Sequence, residues 1–267
     1  MPTTSVIRAD THRLSVRVID GLMVTIIIIL NIIPLLLLFI DSDIVAGFPL
    51  LSEPRFYHAF FNSLTLAIGS AFFALILSII LSFLAYEIKL RAYPVIPHLI
   101  ELTHSLFLII PALVFGTSIF ILLRAYIDVT AYGFWILLLG NSLLALPFCY
   151  RIIGPALVKH LEDTAHLSAL LRLSTPYRLF YIISPTLKVE IGFALGLSAA
   201  LSFGDLGIIT LFGSQDFETL PYLLFQFLNR YGADEADLLA LILLLSAVGL
   251  YGLFTKLVEL WGNKISR

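Results

Sequence analysis

The chain has 267 residues, of which 60% are hydrophobic and only 13% are charged, and its formal net charge is −2. This composition excludes a soluble globular domain and indicates an integral membrane protein, for which we expect no nucleic-acid partner. The single cysteine, Cys149, excludes an internal disulfide framework and a cysteine-based metal site.

A transmembrane helix needs roughly 20 mostly apolar residues, and six segments of the chain reach that length. Some stretches within them, such as Leu35–Ile40, are unbroken apolar runs, whereas the strands of a membrane barrel alternate apolar and polar residues. The sequence therefore predicts an all-α polytopic membrane protein with both termini on one side. Its six predicted transmembrane helices cover approximately residues 20–40, 62–86, 102–123, 131–150, 189–212 and 237–258.

The first predicted transmembrane helix follows three arginines, which raises the question of a secretory signal peptide. Its apolar run is too long for a signal peptide, and no small-x-small cleavage site follows Ile40. We therefore expect a cytoplasmic N-terminal tail over residues 1–19. The first transmembrane helix and its outer loop are expected over residues 20–55.

The basic residues divide unequally between the two sides that six transmembrane helices define. One side carries three: Arg55, Arg124 and Arg230. The other side carries thirteen: Arg8, Arg13, Arg17, Lys89, Arg91, Arg151, Lys159, Arg172, Arg178, Lys188, Lys256, Lys264 and Arg267. This bias predicts that the N-terminus, the C-terminus and the segment 151–188 lie in the cytoplasm.

Three polar residues at the start of the third predicted helix, His98, Glu101 and His104, raise the question of a metal site. Steps of three residues place the outer two about 120° apart around a helix, unlike the i, i+4 histidine pair of a zinc site. We therefore expect no metal there.

The segment 151–188 is polar but has a helical pattern. Leu157 and Leu161 recur at helical spacing between polar residues, which predicts short amphipathic helices rather than a transmembrane helix. Thr175 suits the N-cap of a further helix, with Pro176 at its first position. A structured segment of this size predicts a docking site for another protein. The alternative is a helix that lies on the lipid headgroups.

This segment resembles the cytoplasmic coupling loop of type I ABC importer permeases. The family pattern is Glu-Ala-Ala, three residues, Gly, nine residues, Ile, one residue and Leu-Pro. Its end falls on Ile182 and Pro185, its Gly on Arg172 and its Glu-Ala-Ala on residues 166–168. A left-handed turn suits that Gly and costs another residue about 1–2 kcal/mol. The resemblance implies contact with an ATPase subunit through Asp163, His166, Leu167, Leu170, Leu171, Arg172 and Ser174.

A second resemblance lies in and after the fifth predicted helix. The run from Leu201 to Tyr222 is similar to the C-terminal half of thiamine ABC transporter permeases, and the similarity covers roughly residues 60–258. It implies a type I ABC importer permease fold in a bacterial inner membrane. The transmembrane domain of that fold is expected over residues 56–262, with a cytoplasmic coupling loop over 151–188.

The resemblance implies translocation of thiamine, with two points left open. Ferric-iron permeases share the Ser-x-x-Asp/Glu-x-Gly pattern seen here at Ser202, Asp205 and Gly207, so ferric iron or another small solute is the alternative substrate. The run Thr219–Tyr222 favours thiamine. Thiamine permeases usually fuse two six-helix halves, and this chain has the length of one half. It is a homodimer, one partner of a split pair or a remnant.

Asp205 is a carboxylate between two apolar runs, and a charged Asp at a helix centre costs about 2.5–3.5 kcal/mol on insertion scales. One hypothesis is structural: Gly204 and Gly207 loosen the backbone, and Asp205 accepts hydrogen bonds from exposed amides or pairs with a basic group near the outer surface. The other places Asp205 in the substrate pathway, where it stabilises a passing cation. Phe203 or Phe212 then adds a cation–π contact of about 0.5–2 kcal/mol.

Several aromatic residues follow the fifth predicted helix: Phe217, Tyr222, Phe225, Phe227 and Tyr231. They fit an aromatic belt at the membrane interface. They fit equally an outer gate beneath a substrate-binding protein.

The chain lacks the phosphate-loop motif Gly-x-x-x-x-Gly-Lys-Ser/Thr, so we expect a transport subunit that is not an enzyme and carries no cofactor. An intramembrane protease is disfavoured because no histidine lies mid-helix near its serines. A secondary transporter or channel is the alternative class, although we find no paired broken helices in the sequence. The resemblance implies as partners an ABC ATPase dimer, a periplasmic substrate-binding protein, the lipid bilayer and a second permease half, which is itself or a homologous chain.

Overall fold

A computed structural model describes residues 14–40, 47–90, 95–129, 131–174, 177–213, 217–229 and 233–265. All regular secondary structure within these ranges is helical, which confirms the all-α prediction. A 3-10 helix, Phe48–Ser52, precedes the second long helix, and an elbow helix, Arg178–Thr186, lies within the predicted docking segment 151–188. The α-helices are α1 (Leu14–Ile40), α2 (Pro54–Leu90), α3 (Val95–Ile109), α4 (Ala112–Leu123), α5 (Gly133–Asp163), α6 (Ala165–Leu170), α7 (Lys188–Phe203), α8 (Ile209–Phe212), α9 (Leu220–Asn229) and α10 (Ala233–Ile265).

Four of the described helices, α1, α2, α5 and α10, are long and apolar enough to cross a bilayer. The elbow helix and α7 meet the same criterion together, but they bend by 81° at their junction. The chain is therefore a multi-pass membrane protein. The sixth crossing remains a prediction, and it falls on α3 and α4.

The third predicted transmembrane helix is interrupted. α3 ends at Ile109 and α4 begins at Ala112, with Pro111 between them at φ −59° and ψ 139°. A proline has no N–H to donate and disfavours helical backbone for the residue before it. The prediction of one continuous helix over residues 102–123 is therefore wrong. The side chains of His98, Glu101 and His104 lie outside the described part of the chain.

The fourth predicted helix is longer than the sequence suggested. α5 passes residue 150 and continues to Asp163, so the prediction of separate short helices from residue 151 is wrong for residues 151–163. The extension is stable because Ile153, Leu157 and Leu161 form one buried apolar face. The neighbouring α2 also extends, and Lys89 Nζ of α2 lies 3.7 Å from Glu162 Oε1 of α5.

The fifth predicted helix, 189–212, is also interrupted, because α7 ends at Phe203 and α8 begins at Ile209. The sequence predicted no paired broken helices, yet the third and fifth predicted helices both contain a break. The two breaks meet. A Cβ at Gly207 would lie 2.6 Å from Ala112 Cβ and 3.0 Å from Leu113 N, so only glycine permits this approach.

The core of the bundle lies between α2, α5, α7 and α10. Small buried residues of α2, among them Ala67, Ser70 and Ala74, allow the neighbouring helices to approach closely. The α2–α5 contact includes a hydrogen bond from Ser70 Oγ to Leu138 O (3.2 Å), while Ser142 Oγ donates to Leu138 O of its own helix (2.6 Å) and lies 3.2 Å from Ser70 O. Such bonds satisfy polar groups that lipid cannot.

Two glycines of α7 form its contact with α10. Gly192 and Gly196 are four residues apart and so lie on one face of the helix. A Cβ at Gly196 would lie 2.9 Å from Tyr251 O, and one at Gly192 would lie 3.2 Å from Thr255 Cα. By contrast, none of residues 16–33 of α1 is buried against the rest of the described bundle.

Candidate functional site

In the predicted docking segment, 151–188, a short helix and a left-handed turn follow the end of α5. α6 follows α5 after the single residue Thr164 and ends at Leu170. Arg172 then adopts φ 50°. Arg172 N–H donates to Ala169 O (3.3 Å) and Leu173 N–H donates to Ser168 O (3.0 Å), which is the bond pattern of a Schellman helix end. The left-handed turn that the family pattern assigns to Gly is therefore kept here by Arg172.

Arg178 of the elbow helix donates hydrogen bonds to the junction between α5 and α6. Its Nε and Nη2 donate to Thr164 Oγ1 at 3.0 and 2.9 Å, and Nη2 also donates to Leu161 O. Leu161 and Thr164 are at the C-terminal end of α5, where carbonyl groups lack helical partners and a cation is favourable. The elbow helix, which leads into α7, is therefore hydrogen-bonded to the junction between α5 and α6.

The seven residues that the sequence assigns to ATPase contact, residues 163, 166, 167, 170, 171, 172 and 174, are all exposed. Leu170 is 82% exposed, and Leu167 and Leu171 are each more than half exposed. Ser168, on the opposite face of α6, is buried and donates to Thr164 O (2.7 Å). The structure thus brings three exposed leucines together on α6 and the residue that directly follows it. Thr175 and Pro176, the predicted start of the next helix, lie outside the described residues.

The elbow helix and the residue before it expose three aromatic side chains. Tyr177 and Tyr181 stack with ring centroids 4.8 Å apart, and Phe180 is largely exposed. Exposed aromatic residues are typical of the membrane interface. The lipid-headgroup hypothesis for this segment therefore suits the elbow helix better than it suits α6.

Asp205 lies in the break between α7 and α8. Its Oδ1 accepts from Gly207 N–H (3.1 Å) and its Oδ2 accepts from Ile208 N–H (3.3 Å). These amides have no helical partner because the helix is interrupted, so the carboxylate offsets the loss. This geometry is the one expected from the structural hypothesis for Asp205. It leaves the pathway hypothesis open, because Asp205 also lines a cavity.

The two aromatic residues predicted beside the pathway pack inside the protein. Phe203 contacts the ring of Phe60 edge-on, with centroids 6.1 Å apart, and Phe212 contacts Phe120 in the same way at 5.6 Å. Gly204 ends α7 by donating its N–H to Ala200 O (3.2 Å). Of the five predicted pathway residues, Asp205 is thus the one that lines the cavity described next.

The cavity has a volume of about 170 Å³ and lies between α5 and the C-terminal end of α7. Its polar residues are Asn141, Ser202 and Asp205, and its apolar walls include Leu144, Phe148 and Leu201. Asn141 Nδ2 donates to Ser202 Oγ (3.0 Å). Sequence reasoning missed Asn141, although an amide within an apolar predicted helix was the available signal.

A second polar cluster holds α9 to the N-terminal end of α2. Arg55 Nε and Nη2 donate to the two carboxylate oxygens of Glu218, both at 2.6 Å, and Arg55 Nη2 also donates to Gln226 Oε1 (2.5 Å). Leu220 N–H donates to Ser63 Oγ (2.7 Å). Glu218 and Leu220 lie in the run from Leu201 to Tyr222, which carries the resemblance to thiamine permeases. That run is therefore fixed in place by a bidentate ion pair.

The fold and these sites describe a polytopic membrane protein with an exposed short helix at one end of its bundle. The chain is 27% identical over 258 residues to the thiamine transport system permease protein ThiP of Escherichia coli (strain K12), covering 97% of this chain and 48% of that protein. It is 37% identical over 194 residues to the protein of that name from Brucella abortus (strain 2308), covering 73% and 35%. The predicted resemblance to thiamine transporter permeases is thereby confirmed.

A third relative carries another name. The chain is 30% identical over 116 residues to the putative 2-aminoethylphosphonate transport system permease protein PhnV of Salmonella paratyphi A (strain ATCC 9150 / SARB42), covering 43% of each. No protein-family model matches the chain. The chain spans about half the length of the thiamine permeases that it matches.

Proposed function

We propose that this chain is the transmembrane permease subunit of an ABC importer for thiamine in a bacterial inner membrane. The observation that carries the proposal is the similarity to thiamine transport permeases over 97% of the chain. The exposed leucines of α6 support it, because they lie in the segment that resembles the coupling loop of such permeases. The match to a phosphonate permease over a shorter region supports the wider class rather than the substrate.

In this proposal α6 docks into a cleft on a separate ABC ATPase. Leu167, Leu170 and Leu171 supply the apolar contact, and Asp163, His166, Arg172 and Ser174 form its polar margin. Movement of the ATPase between two states displaces α6, and Arg178 passes the displacement to the elbow helix. Both α5 and α7 therefore move together. Such a change requires that the ATPase contact α6 differently in its two states.

The remaining partners follow from the same proposal. A second permease half, either another copy of this chain or a homologous one, completes the pathway. A periplasmic binding protein delivers the solute to the end of the bundle where Arg55 and Glu218 join α2 to α9. The termini and α6 then lie in the cytoplasm, as the positive-inside bias predicts. The transmembrane domain extends over residues 56–262.

Capture of the ATPase tests the docking surface. The affinity-tagged chain is purified from membranes of its native host, and the ATPase recovered with it is quantified by mass spectrometry. We expect Leu170→Asp to lower recovery about thirtyfold, the effect of losing a contact residue worth about 2 kcal/mol. Leu260→Asp is the matched control, because Leu260 is a similarly exposed leucine of α10. Equal recovery with Leu170→Asp and with Leu260→Asp would show that α6 is not the docking element.

A further inference from the structure

The cavity between α5 and α7 contains a buried polar atom without a partner. Asn141 is only 3% exposed, and its Nδ2 is occupied by the hydrogen bond to Ser202 Oγ. Its Oδ1 accepts no hydrogen bond from any described group. A buried carbonyl oxygen in this state is costly, and native proteins rarely retain one without a role.

The Asp205 carboxylate adds further acceptor positions to the cavity. Each carboxylate oxygen of Asp205 accepts one backbone N–H, whereas an ionised carboxylate offers about four acceptor positions. Ser202 Oγ already accepts from Asn141. None of the residues that line the cavity is a lysine, an arginine or a histidine. The cavity therefore offers acceptors on one side and no positively charged donor of its own.

The apolar part of the cavity complements these acceptors. Phe148 supplies an aromatic ring, and Leu144 and Leu201 supply aliphatic walls. An aromatic ring attracts cations through its electron-rich face, and flat heteroaromatic groups stack on it. An occupant that satisfies every part of the cavity has N–H donors, a positive charge and an apolar ring.

We propose that this cavity is a binding subsite for an organic cation with N–H donors, held by Asn141 Oδ1 and the Asp205 carboxylate beside Phe148. The subsite rests on the proposed function in one respect, since it is the solute's position within the transport pathway. Asn141 belongs to α5, whose end Arg178 joins to α6, and Ser202 belongs to α7, which follows the elbow helix of Arg178. Displacement of α6 therefore changes the distance between the two sides of the subsite.

Thiol labelling in membrane vesicles tests the subsite without the ATPase. A cysteine replaces Leu144, a cavity residue, in the full chain with Cys149→Ser. Vesicles of both orientations are treated with a trimethylammonium or a sulfonate methanethiosulfonate of matched size. We expect the ratio of cationic to anionic labelling rates at position 144 to be about tenfold higher than the same ratio for a free thiol in solution, because a cavity lined by one sign of charge concentrates the opposite ion. Leu139→Cys, on another face of α5, is the control, and its ratio of the two rates should equal that of the free thiol.

Two further variants identify the source of the preference. Asp205→Asn should reduce the preference for the cationic reagent at position 144 to the value of the Leu139→Cys control. Asn141→Asp, measured in the same way, should raise this preference above the value of the parent protein. A preference unchanged by both variants overturns the subsite. Absence of labelling at position 144 by either reagent, from either side, overturns it as well, because a solute has to reach the cavity.

Addition of thiamine separates this inference from the proposed function. Protection of position 144 by thiamine supports both. Cationic preference without thiamine protection keeps the organic-cation subsite and counts against thiamine as the solute. Thiamine uptake by the assembled transporter without any cationic preference at position 144 keeps the transport function and removes the subsite.

Discussion

Arg172 shows how one residue can keep a backbone conformation that its side chain does not favour. The family pattern has Gly at this position, and here Arg172 retains the left-handed φ of 50° at the end of α6. A non-glycine residue is strained there by about 1–2 kcal/mol. The Schellman hydrogen bonds of Arg172 and Leu173 hold it in place.

Replacing Arg172 by glycine should therefore stabilise the end of α6. Glycine also gains freedom in the unfolded chain, which removes about 0.4–1 kcal/mol of the benefit. We expect a net gain of about 0.5–1 kcal/mol, read as a higher thermal midpoint of the detergent-solubilised protein. Arg172→Ala keeps the strain but loses the charge, so it serves as the control. A midpoint for Arg172→Gly at or below that of Arg172→Ala would mean that the turn is not strained.

Asn141 and Asp205 differ in how far their roles could be predicted from the sequence. Asp205 was visible in the sequence because a carboxylate between apolar runs is costly in a membrane. Its hydrogen bonds to Gly207 and Ile208 agree with the structural hypothesis of a loosened backbone, although the predicted helix 189–212 did not include the break that exposes these amides. Asn141 was not singled out from the sequence. Its Oδ1 lacks a hydrogen-bond partner because of how helices distant in sequence pack together.

At the scale of elements, α7 and α10 depend on a close approach at two glycines. A Cβ at Gly196 would lie 2.9 Å from Tyr251 O and 3.1 Å from Tyr251 Cα, both of them backbone atoms. Backbone atoms cannot rotate away as a flexible side chain does. The two helices have to separate if position 196 carries a side chain.

Gly196→Ala should consequently destabilise the bundle, by about 1–3 kcal/mol as is typical of overpacking. The measurement is the temperature at which half of the solubilised protein leaves the monodisperse peak in size-exclusion chromatography. Gly252→Ala of α10 is the matched control, because a Cβ at Gly252 meets nothing within 4 Å. The close-approach interpretation fails if the two alanine variants have equal midpoints.

Hydropathy located the helical regions of this chain but not their breaks. The segments 20–40, 62–86 and 237–258 all fall within observed helices, because a long apolar run in lipid has no other way to satisfy its backbone. The break before Ala112 depends on a single proline, Pro111. The extension of α5 to Asp163 was missed because charged residues there hid the buried face of Ile153, Leu157 and Leu161.

At the scale of the whole molecule, the chain spans about half the length of its thiamine permease relatives. Closed two-fold assemblies are the common solution for membrane and soluble oligomers alike. The proposed importer therefore needs a second half to complete a pathway between equivalent faces. The Arg55–Glu218 ion pair fixes α9 at one end of the bundle, and α6 marks the other.

The same two ends define the proposed direction of coupling. In this proposal, the ATPase displaces α6, and the hydrogen bonds of Arg178 move α5 and the elbow helix with it. The shape of the cavity beside Asn141 and Asp205 changes as a result. The broken third and fifth helices meet near this cavity, at Ala112 and Gly207. Broken helices also occur in secondary transporters, so a requirement for ATP distinguishes the two classes.

ATP-dependent uptake of radiolabelled thiamine tests the central proposal most directly. Proteoliposomes contain the chain with its co-purified ATPase and second permease half, with ATP in the compartment that holds the ATPase and the binding protein on the other side. We predict thiamine accumulation that requires ATP and the binding protein, and that Leu170→Asp abolishes while Leu260→Asp does not. Accumulation without the ATPase, or ATP-driven uptake of another solute with none of thiamine, would contradict it.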